Sequence, residues 1–569
     1  MLKALLRPDG SVSAVEAHPE GEAVAAPGNE MVLFPLDGLP RSIDLDSSDW
    51  TADSNPGRWT GGFAFAVWDR HSATLCAYRD HYGARPLYYH HAPGCLLVAS
   101  DLPALLPHLP VPAPLDEVAI MEYLATGVPS ENKTFHRGVL RVPAASKLIA
   151  GPGGVRVERY WRPWEGPWRG SVSDADLAEE FRHLFTRAVA EALSGPGPIG
   201  VLLSGGPDSS AVLGIAARLA RLGQVPPDAL RVALTMILDQ LPACDERDRA
   251  RETATLHGVP WRAVPIEAHS PLYLFDDFLA RFGEPPCGAN LALESIVLEA
   301  ARREGLTALL DGHDADALFT PTSAYLTELF RRLRWIRLAR EFAGLKRHHR
   351  LGLRRLARAS VAPAAPLRLR RLRRRAPAWL KPSAVRRTNL EERLAPAARP
   401  ASFEEGEAER ALGARVGLAL EVTRCLERMH GVEGRHPFFD PALVRFLLSL
   451  PLETRYRAGE SKILMRAALA DVLTPTTRQR IDKTNYTAYF DWALRTHLGS
   501  HLEELSQRGS AWLAPYVDFD RARPMIRDLL EGRECNRLAL WRLIALNRWL
   551  VLMSGTLHGG QSHESPASH

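Results

Sequence analysis

The chain has 569 residues, too many for a single hydrophobic core, so two or more domains are expected. Its 46% hydrophobic and 24% charged residues and its net charge of +5 are typical of a soluble globular protein. It shows no apolar run long enough to cross a bilayer, no signal-peptide pattern and no Cys-x-x-Cys pair among its six cysteines. These features argue against a disulfide framework or a zinc site and predict a cytoplasmic protein with reduced thiols.

The first part of the chain, to about residue 165, is predicted to be rich in β-strands. Phe63, Phe65 and Val67 alternate with small residues, which predicts a strand with one buried face. Turn-forming residues follow at 69–72. Further strands are predicted at 74–78, 87–89 and 96–99, and a linker at 166–171.

From about residue 172 the hydrophobic period changes. An amphipathic helix is predicted over 174–193. The predicted strands that follow are 199–203, 232–237, 264–266 and 308–310, and the predicted helices are 211–222, 245–257 and 291–303. Strands that alternate with helices indicate a parallel α/β sheet. The chain is predicted to be mostly helical from residue 323 and disordered over 558–569.

The first of these predicted strands runs directly into the sequence SGGPDSS at residues 204–210. Adjacent glycines let the backbone approach an anion, and the following helix adds N–H groups and the positive end of its dipole. Asp208 would repel a phosphate unless a cation lay between them, so Mg²⁺ is implied together with the phosphate ligand. A glycine turn followed by a helix cap is the simpler alternative, but a cap does not need this many glycines and serines.

This loop resembles the pyrophosphate-binding loop, SGGxDSS, of the N-type ATP pyrophosphatases. In that family ATP loses pyrophosphate and AMP is placed on a carboxylate. The Gly-Lys-Ser/Thr ending of a Walker A loop is absent. The resemblance implies that ATP and Mg²⁺ are the cofactors.

Further motifs narrow the resemblance. Residues 61–69 read GGFAFAVWD, 78–89 read YRDHYGARPLYY and 99–102 read ASDL, which look like the glutaminase domain of asparagine synthetases. Residues 310–319, LDGHDADALF, are similar to that family's SGEGADELF. The segments 432–440 and 478–483 also match, so the resemblance covers most of the chain from about 61 to 483.

The resemblance implies a fold of α/β plus α+β class. Residues 1–165 would form a degenerate, glutaminase-like antiparallel β-sandwich with flanking helices. Residues 172–557 would form an adenine-nucleotide α-hydrolase-like parallel sheet with a helical C-terminal part, which contains an Arg-rich helical insertion at about 331–398. The ATP-binding residues implied are Leu203, Ser204, Gly205, Gly206, Asp208, Ser209, Ser210, Met236 and Gly312, and the metal ligands are Asp208 and Asp316.

The chain departs from a working glutaminase at its second residue. A glutaminase of this family begins with a nucleophilic cysteine after Met1, but position 2 here is Leu2, and the nearest cysteine, Cys76, lies inside a predicted strand. A leucine cannot attack an amide. Glutamine hydrolysis is therefore not expected, and the domain is interpreted as a retained scaffold.

A second departure is His313, which stands where asparagine synthetases carry Glu and the similar β-lactam synthetases carry Tyr. In the β-lactam enzymes this residue pairs with a glutamate, matched here by Glu433, and deprotonates the attacking amine. A histidine suits that task because its ordinary pKa is about 6.5. The alternative is a loop histidine that only forms a hydrogen bond. Lys483 matches a lysine thought to stabilise charge at the reacting centre, so His313, Glu433 and Lys483 are the predicted catalytic residues.

Without an ammonia supply, the attacking amine should belong to the substrate. The chain most resembles lasso-peptide macrocyclases, in which an Asp or Glu side chain of a precursor peptide is adenylated and the peptide's N-terminal amine closes an isopeptide ring. His313, the RxxKxxY-like segment 480–486 and the Arg-rich stretch favour this interpretation. A small-molecule amide or β-lactam synthetase, an asparagine-synthetase-like ligase and an inactive scaffold remain alternatives.

Arginines are concentrated between residues 331 and 375, where Glu341 is the only carboxylate. Such a segment can hold an acidic peptide, an acidic partner protein or a membrane surface, or it can be a solvated insertion. The expected partners are a precursor peptide and, by the resemblance, a leader-binding protein and a leader peptidase. Nucleic-acid binding is not predicted, because no nucleic-acid motif accompanies the charge.

Overall fold

The protein is described by a computed structural model. The residues described are 1–17, 24–25, 31–39, 56–164, 166, 173–226, 229–313, 315–322, 324–349, 352, 354, 356, 360, 376–395, 402–411, 413–481, 484 and 486–559. Antiparallel sheets come first in the chain, then a parallel α/β sheet, then mostly helices. This order confirms the predicted fold class, while the domain boundaries at 165 and 172 stay predictions.

The N-terminal part is built from two antiparallel sheets. Its strands are β1 (Leu2–Leu6), β2 (Val12–Ala17), β3 (Val24–Ala25), β4 (Met31–Pro35), β5 (Ala64–Asp69), β6 (Thr74–Arg79), β7 (Tyr88–Ala92), β8 (Cys95–Ala99), β9 (Val139–Arg141), β10 (Ser146–Gly151) and β11 (Gly154–Arg159). The strand order is β2-β1-β8-β7-β9 in one sheet and β11-β10-β6-β5-β4-β3 in the other. Two helices, α1 (Leu102–Leu105) and α2 (Glu117–Thr126), flank them.

Strand β5 shows why the predicted alternation was only partly correct. Its small residues, Ala64 and Ala66, belong to the core that also contains Leu2 and Val98 of the other sheet. Its large residues belong to a separate aromatic cluster, in which the rings of Phe65 and Tyr78 stack with their centroids 5.2 Å apart. The strand is therefore buried on both faces, and the prediction of one buried face was wrong.

The C-terminal part is centred on a five-stranded parallel sheet. Its strands are β12 (Ile199–Leu202), β13 (Leu230–Ile237), β14 (Trp261–Pro265), β15 (Ala308–Leu310) and β16 (Glu433–Arg435), in the order β14-β13-β12-β15-β16. Helix α3 (Asp174–Ala192) precedes the first strand, and α4 (Pro207–Arg221), α5 (Arg247–His257), α6 (Phe275–Phe282) and α7 (Leu291–Arg303) follow between β12 and β15. The strand order reverses direction between β12 and β15, and ligands of open α/β sheets bind at the carboxyl ends of strands at such a point.

The remaining described chain is mainly helical, as predicted. Its helices are α8 (Ala315–Phe319), α9 (Ala324–Arg331), α10 (Trp335–His349), α11 (Pro382–Arg387), α12 (Leu390–Arg393), α13 (Phe403–Ala411), α14 (Ala414–His430), α15 (Pro441–Ser449), α16 (Leu452–Arg455), α17 (Ile463–Ala468), α18 (Pro475–Gln479), α19 (Thr487–Arg508), α20 (Phe519–Leu530) and α21 (Arg537–Gly559). A short hairpin pairs β17 (Tyr456–Arg457) with β18 (Glu460–Ser461). No described helix is long and apolar enough to cross a membrane.

Two predictions fall partly outside the described residues. Within the predicted Arg-rich insertion at about 331–398, α10, α11 and α12 are described, but 350–351, 353, 355, 357–359, 361–375 and 396–398 are not. In the predicted disordered tail, α21 extends to Gly559, whereas 560–569 lie outside the described residues.

Candidate active site

The glycine-rich loop joins the end of β12 to the start of α4. Pro207 occupies the first turn of α4, where a missing N–H costs nothing. Gly206 is the N-cap residue, and no side chain caps the helix there. The first N–H groups of α4 therefore face the loop, which is the arrangement that an anion-binding site requires.

Serine hydroxyls fix the shape of this loop. The Ser209 hydroxyl accepts a hydrogen bond from the backbone N–H of Ser204 at 3.0 Å and lies 3.1 Å from the Ser204 hydroxyl. The N–H of Gly206 donates to Ser204 Oγ at 3.3 Å. Ser210 is buried instead, with its hydroxyl 3.3 Å from that of Thr253 on α5. The loop thus holds its shape through its own polar groups.

Two glycines allow close approach of neighbouring loops. Gly205 has a φ of +73°, and a Cβ there would lie 3.0 Å from the backbone nitrogen of Ala250. A Cβ on Gly312, which follows β15, would lie 2.8 Å from both Asp208 Cβ and Ser209 N. A Cβ at 2.8 Å would clash, so the loops after β12 and β15 meet only because position 312 is glycine. Gly205, with its left-handed backbone, lets the glycine-rich loop pack closely against the start of α5.

The two predicted metal ligands, Asp208 and Asp316, both form an ion pair with the ammonium group of Lys462. Lys462 Nζ lies 2.6 Å from Asp208 Oδ2 and 2.7 Å from Asp316 Oδ1, and its side chain is only 6% exposed. The lysine itself adopts a left-handed backbone with φ of +65° before α17. A positive charge is therefore accommodated between the carboxylates, so the donor set fits a divalent cation that also binds phosphate oxygens. The sequence analysis did not identify Lys462.

Two further predicted ATP-binding residues lie in the sheet. Leu203 is fully buried, its N–H donates to Leu234 O at 2.8 Å and its carbonyl accepts from Thr235 Oγ1 at 2.7 Å. Met236 is partly buried on β13, paired with Val264 of β14. Their contact with ATP stays a prediction.

His313 is held by Asp311, a residue that the sequence analysis passed over. The backbone N–H of His313 donates to Asp311 Oδ1 at 3.0 Å, and its Nδ1 lies 2.5 Å from Oδ2. The second histidine of this cluster, His436, places Nδ1 2.8 Å from Asp311 Oδ1. Asp311 follows β15 and His436 follows β16, so the residues meet because the carboxyl ends of adjacent parallel strands meet.

The charges of this cluster support one another. Burial alone would raise the pKa of Asp311, but the two imidazoles hold the pKa of that carboxyl well below its usual range. Burial alone would lower the pKa of His436, but the Asp311 carboxylate raises it above the ordinary value. The His313 side chain is 47% exposed, whereas that of His436 is 11% exposed. His313 is therefore the histidine that a substrate can reach, with its ring oriented by a carboxylate.

Glu433 is held by two arginines. Arg85 of the N-terminal part donates to Glu433 Oε1 at 2.9 Å, and Arg435 donates to Oε2 at 2.8 Å. Glu433 begins β16, three residues before His436. The pairing of Glu433 with His313 stays a prediction. No sequence pattern indicated that Arg85 contacts Glu433.

Another carboxyl group lies near the histidines. Glu294 is partly buried on α7 and accepts a hydrogen bond from Thr423 Oγ1 at 2.9 Å. Burial raises the pKa of Glu294, while the charge of His313 acts in the opposite direction. The sequence offered no signal for this residue beyond an amphipathic helix.

Lys483 lies outside the described residues, but its neighbours are anchored. Arg480 forms a buried ion pair with Glu246, which is the N-cap residue of α5. Thr484 Oγ1 donates to the same Glu246 carboxylate at 2.7 Å. The Glu246 backbone carbonyl also lies against Gly205, so Arg480 and Thr484 are anchored beside the glycine-rich loop.

Position 2 and Cys76 both lie in the interior of the N-terminal sheets. Leu2 is 2% exposed in the core between the sheets, where β1 pairs with β2 and β8. Cys76 is buried on β6, and burial raises the pKa of its thiol to about 11, which disfavours the reactive thiolate. The predicted loss of glutamine hydrolysis stays a prediction.

Buried ion pairs join the N-terminal part to α14. Glu421 of α14 lies 2.6 Å from Arg79 Nη2 and 3.0 Å from Arg141 Nε, and it accepts a hydrogen bond from Tyr88 at 3.1 Å. Burial alone would raise the pKa of Glu421, but Arg141 and Arg79 lower it below the ordinary value. Arg85 adds a contact of 3.6 Å to Glu427 on the same helix.

A cavity of about 110 Å³ lies at this junction. Residues of both parts line it, among them Tyr82, Arg85, Glu427, Glu433 and His436. Its wall therefore continues from the N-terminal part to the histidine cluster.

Comparisons with known proteins agree with this architecture. The profile of the family described as Asparagine synthase matches residues 180–551, and that of the Glutamine amidotransferase domain matches residues 51–161. These matches cover the parallel α/β and helical part and much of the antiparallel part, respectively.

Individual relatives are distant. "Amidase chyE" of Penicillium rubens is 29% identical over 47% of this chain and 41% of its own length. "Asparagine synthetase (glutamine-hydrolyzing) 3" of Bacillus subtilis is 33% identical over 28% of this chain and 25% of its own length. A putative asparagine synthetase of Mycobacterium bovis is 30% identical over 52% of this chain and 44% of its own length. The chain thus matches less than half the length of these curated relatives.

Proposed function

The chain belongs to the asparagine synthase family, and on that premise we propose that it is an ATP-dependent carbon–nitrogen ligase that releases AMP and pyrophosphate. Within this class we propose a peptide macrocyclase. It adenylates an Asp or Glu side chain of a precursor peptide and joins that carbonyl to the peptide's own N-terminal amine as an isopeptide bond.

One observation carries the proposal. The loop built around Asp208 keeps the polar groups of an ATP site, whereas position 2 is a leucine buried between two sheets. A ligase without a glutaminase nucleophile needs an amine from its substrate. A peptide that contains both a carboxylate and an amine provides both partners of the bond.

The residues of the site have different roles in the proposed adenylation step. Asp208 and Asp316 would hold Mg²⁺ together with phosphate oxygens, and Mg²⁺ would neutralise charge on the leaving pyrophosphate. The loop amides and Lys462 bind the phosphates. The substrate carboxylate attacks the α-phosphorus, and the bond to the pyrophosphate oxygen breaks.

His313 serves the second half of the reaction. An ammonium group cannot attack, so it first gives a proton to the imidazole, whose Nδ1 side is fixed by Asp311. The neutral amine then attacks the activated carbonyl carbon, and AMP leaves. The Arg85–Glu433–Arg435 chain keeps the wall of the site in place beside the histidines.

A small-molecule amide-forming ligase is the second candidate. It is favoured by relatives named asparagine synthetase and amidase rather than macrocyclase. A scaffold without activity, the third possibility raised by the sequence, has less support because the two aspartates and Lys462 still converge.

The experiment uses the full chain, ATP, Mg²⁺ and each short peptide encoded by the neighbouring genes that contains an Asp or Glu, with and without an N-terminal leader segment. We expect a product lighter by one water, with AMP and pyrophosphate in equal amounts. Release of ADP would overturn adenylation. An amide product formed from small molecules alone would favour the second candidate. A requirement for added leader-binding protein and leader peptidase would identify the expected partners.

Asp208→Asn is the matched test of the site. We expect a loss of product of about a hundred- to thousandfold, because charge stabilisation at the leaving group is removed. Asp520→Asn changes an aspartate whose side chain is 85% exposed, so it should leave the rate unchanged. Equal rates in both variants would defeat the site assignment.

A further inference from the structure

The corner between α9 and α10 has an unusual surface. Residues 331–337 read RRLRWIR, and every one of them is exposed. α9 ends at Arg331, and α10 begins at Trp335. Seven consecutive exposed residues therefore combine four arginines with three large apolar side chains.

The apolar residues are strongly exposed. Leu333 is 66%, Trp335 53% and Ile336 73% exposed, and these are three of the ten exposed large hydrophobic residues among the described part of the chain. The other seven lie apart along the sequence, from Val111 to Val551. Scattered apolar residues are ordinary on a surface, but a local group marks an interaction site.

Contacts on the buried side of α9 and α10 fix the conformation of the corner. The opposite sides of the two helices bury Leu329 and Leu338 in a common apolar cluster. The Trp335 ring packs edge-on against Phe330, with centroids 5.5 Å apart. The backbone N–H of Arg334 donates to Leu329 O at 2.9 Å. The helices thus have a separate packed side, and the corner residues point away from it.

The charge of the corner is almost entirely positive. Glu341, the only carboxylate between residues 331 and 375, is buried and accepts hydrogen bonds from the N–H groups of Ala458 and Gly459 at 2.9 and 3.1 Å. It therefore contributes no acceptor to the outer surface. Two of the arginines are paired, Arg332 with Glu328 at 2.6 Å and Arg337 with Glu453.

The other arginines of the corner are available to a partner. Within the described part of the chain, Arg331 and Arg334 have no ion pair with a carboxylate. In the sequence, these arginines lie beside Leu333, Trp335 and Ile336. A surface complementary to this corner would carry anionic groups on the outside and an apolar layer directly under them.

We propose that this corner docks the protein on the surface of a bilayer that contains anionic phospholipids. The arginines would bind headgroup phosphates, and Leu333, Trp335 and Ile336 would enter the boundary between headgroups and acyl chains. Tryptophan suits this boundary because its ring is apolar and its N–H is polar. Basic residues with Trp, Ile and Leu are the composition of interfacial membrane segments.

A bilayer explains the corner better than a protein partner. A stable protein interface buries about 1,200–2,000 Å² over roughly 20–30 residues a side. A projecting corner of seven residues is small for that purpose. A lipid surface needs only a few inserted apolar groups and a few cations, each cation worth about 1 kcal/mol near an anionic leaflet, which is roughly a fivefold change in binding.

The test is vesicle flotation with the full chain at low ionic strength. Vesicles of phosphatidylcholine alone are compared with vesicles that also contain phosphatidylglycerol. We expect binding only to the anionic vesicles, decreasing as salt is added, since salt screens charges near a surface. Absence of binding to anionic vesicles would overturn the proposal.

Variants separate the two contributions. Trp335→Ser with Ile336→Ser should weaken vesicle binding at least tenfold, and Arg331→Gln with Arg334→Gln about twentyfold or more, from roughly fivefold per cation. The control, Leu222→Ser with Leu256→Ser, removes two apolar side chains that are 61% and 56% exposed elsewhere and should bind like the parent chain. Thermal unfolding checks that each variant folds.

Two outcomes would contradict the lipid surface as the occupant. Unchanged binding of the Trp335→Ser/Ile336→Ser chain would show that the corner does not enter the bilayer. Tight binding of a polyglutamate peptide that the arginine variant loses, with no binding to anionic vesicles, would identify an acidic peptide instead. The measurement does not require ligase activity, so its failure is distinct from failure of the proposed function.

Discussion

The N-terminal and C-terminal parts of this molecule differ in how many reactive side chains they share with the enzymes that they resemble. The C-terminal part brings Asp208, Asp316 and Lys462 together at an ATP-type loop. The N-terminal part has a buried leucine where a glutaminase has its nucleophile. Loss of the glutaminase reaction in the N-terminal part stays a prediction.

The RDHYGARPLYY segment shows what the N-terminal part still does. Asp80 accepts hydrogen bonds from the N–H groups of Tyr82, Ala84 and Arg85, which shapes the loop. Arg79 and Tyr88 contact Glu421 across the junction. A motif that identifies a glutaminase domain by sequence thus serves here as an interface with the ligase part.

The largest expected effect tests this interface. Glu421→Gln should lower the free energy of unfolding by about 3–5 kcal/mol, because it leaves Arg79 buried without a carboxylate and Arg141 with Glu284 alone. Chemical denaturation followed by circular dichroism measures the change. Glu158→Gln removes an exposed pair with Arg156 and should cost at most about 1 kcal/mol. Similar losses in both variants would contradict a structural junction.

Arg85→Gln tests whether the N-terminal part positions the reacting centre. We expect kcat to fall about tenfold, which corresponds to roughly 1.4 kcal/mol, while the KM for ATP stays unchanged because Arg85 contacts Glu433 and not the glycine-rich loop. Arg85→Lys should recover part of the rate, because it keeps the charge. Arg156→Gln is the exposed control. A rise in the KM for ATP with kcat unchanged would argue against this role.

The Asp311–His436 pair predicts a pH dependence of stability in the C-terminal part. The pKa of His436 is raised in the folded chain, so its contribution is present below the unfolded pKa of about 6.5 and is lost as pH rises through the folded pKa. The pKa of Asp311 is lowered, so its contribution is present above about 3.9 and is lost as pH falls through the folded pKa.

Denaturation midpoints measured across pH test this pair. The parent chain should lose stability from neutral to alkaline pH, and Asp311→Asn should flatten that decline because it removes the partner of His436. Asp520→Asn should follow the parent curve, since its side chain is 85% exposed. A decline that survives in Asp311→Asn would assign the dependence to other groups.

The smallest expected effect comes from Leu2→Cys. A thiol at this position would lie in the core between the sheets, where Leu2 is 2% exposed, so we expect no ammonia release from glutamine. The measurement is ammonia release in the absence of ATP. Hydrolysis above the parent level would show that the N-terminal part still holds a glutaminase site and that a single residue silenced it.

The sequence by itself determined the local structure around the glycine-rich loop. The glycines and serines of residues 204–210 predicted the strand–loop–helix unit, and the predicted helix at 291–303 and strand at 308–310 have the same bounds in the structure. The hydrophobic period and the turn-forming residues depend only on residues close together in the chain, so a single sequence is enough to identify them. For β5 the alternating pattern predicted one buried face, but both faces are buried because the strand lies between two packed layers.

Only the tertiary structure decided which distant residues complete the site. Asp311 and His436 are 125 positions apart, and Arg85 and Glu433 are 348 positions apart, yet each pair forms a direct contact. Lys462 reaches both aspartates from a segment whose pattern gave no sign of this role. Such contacts depend on strand order and on the packing of one part against the other, and no local pattern of residues encodes either one.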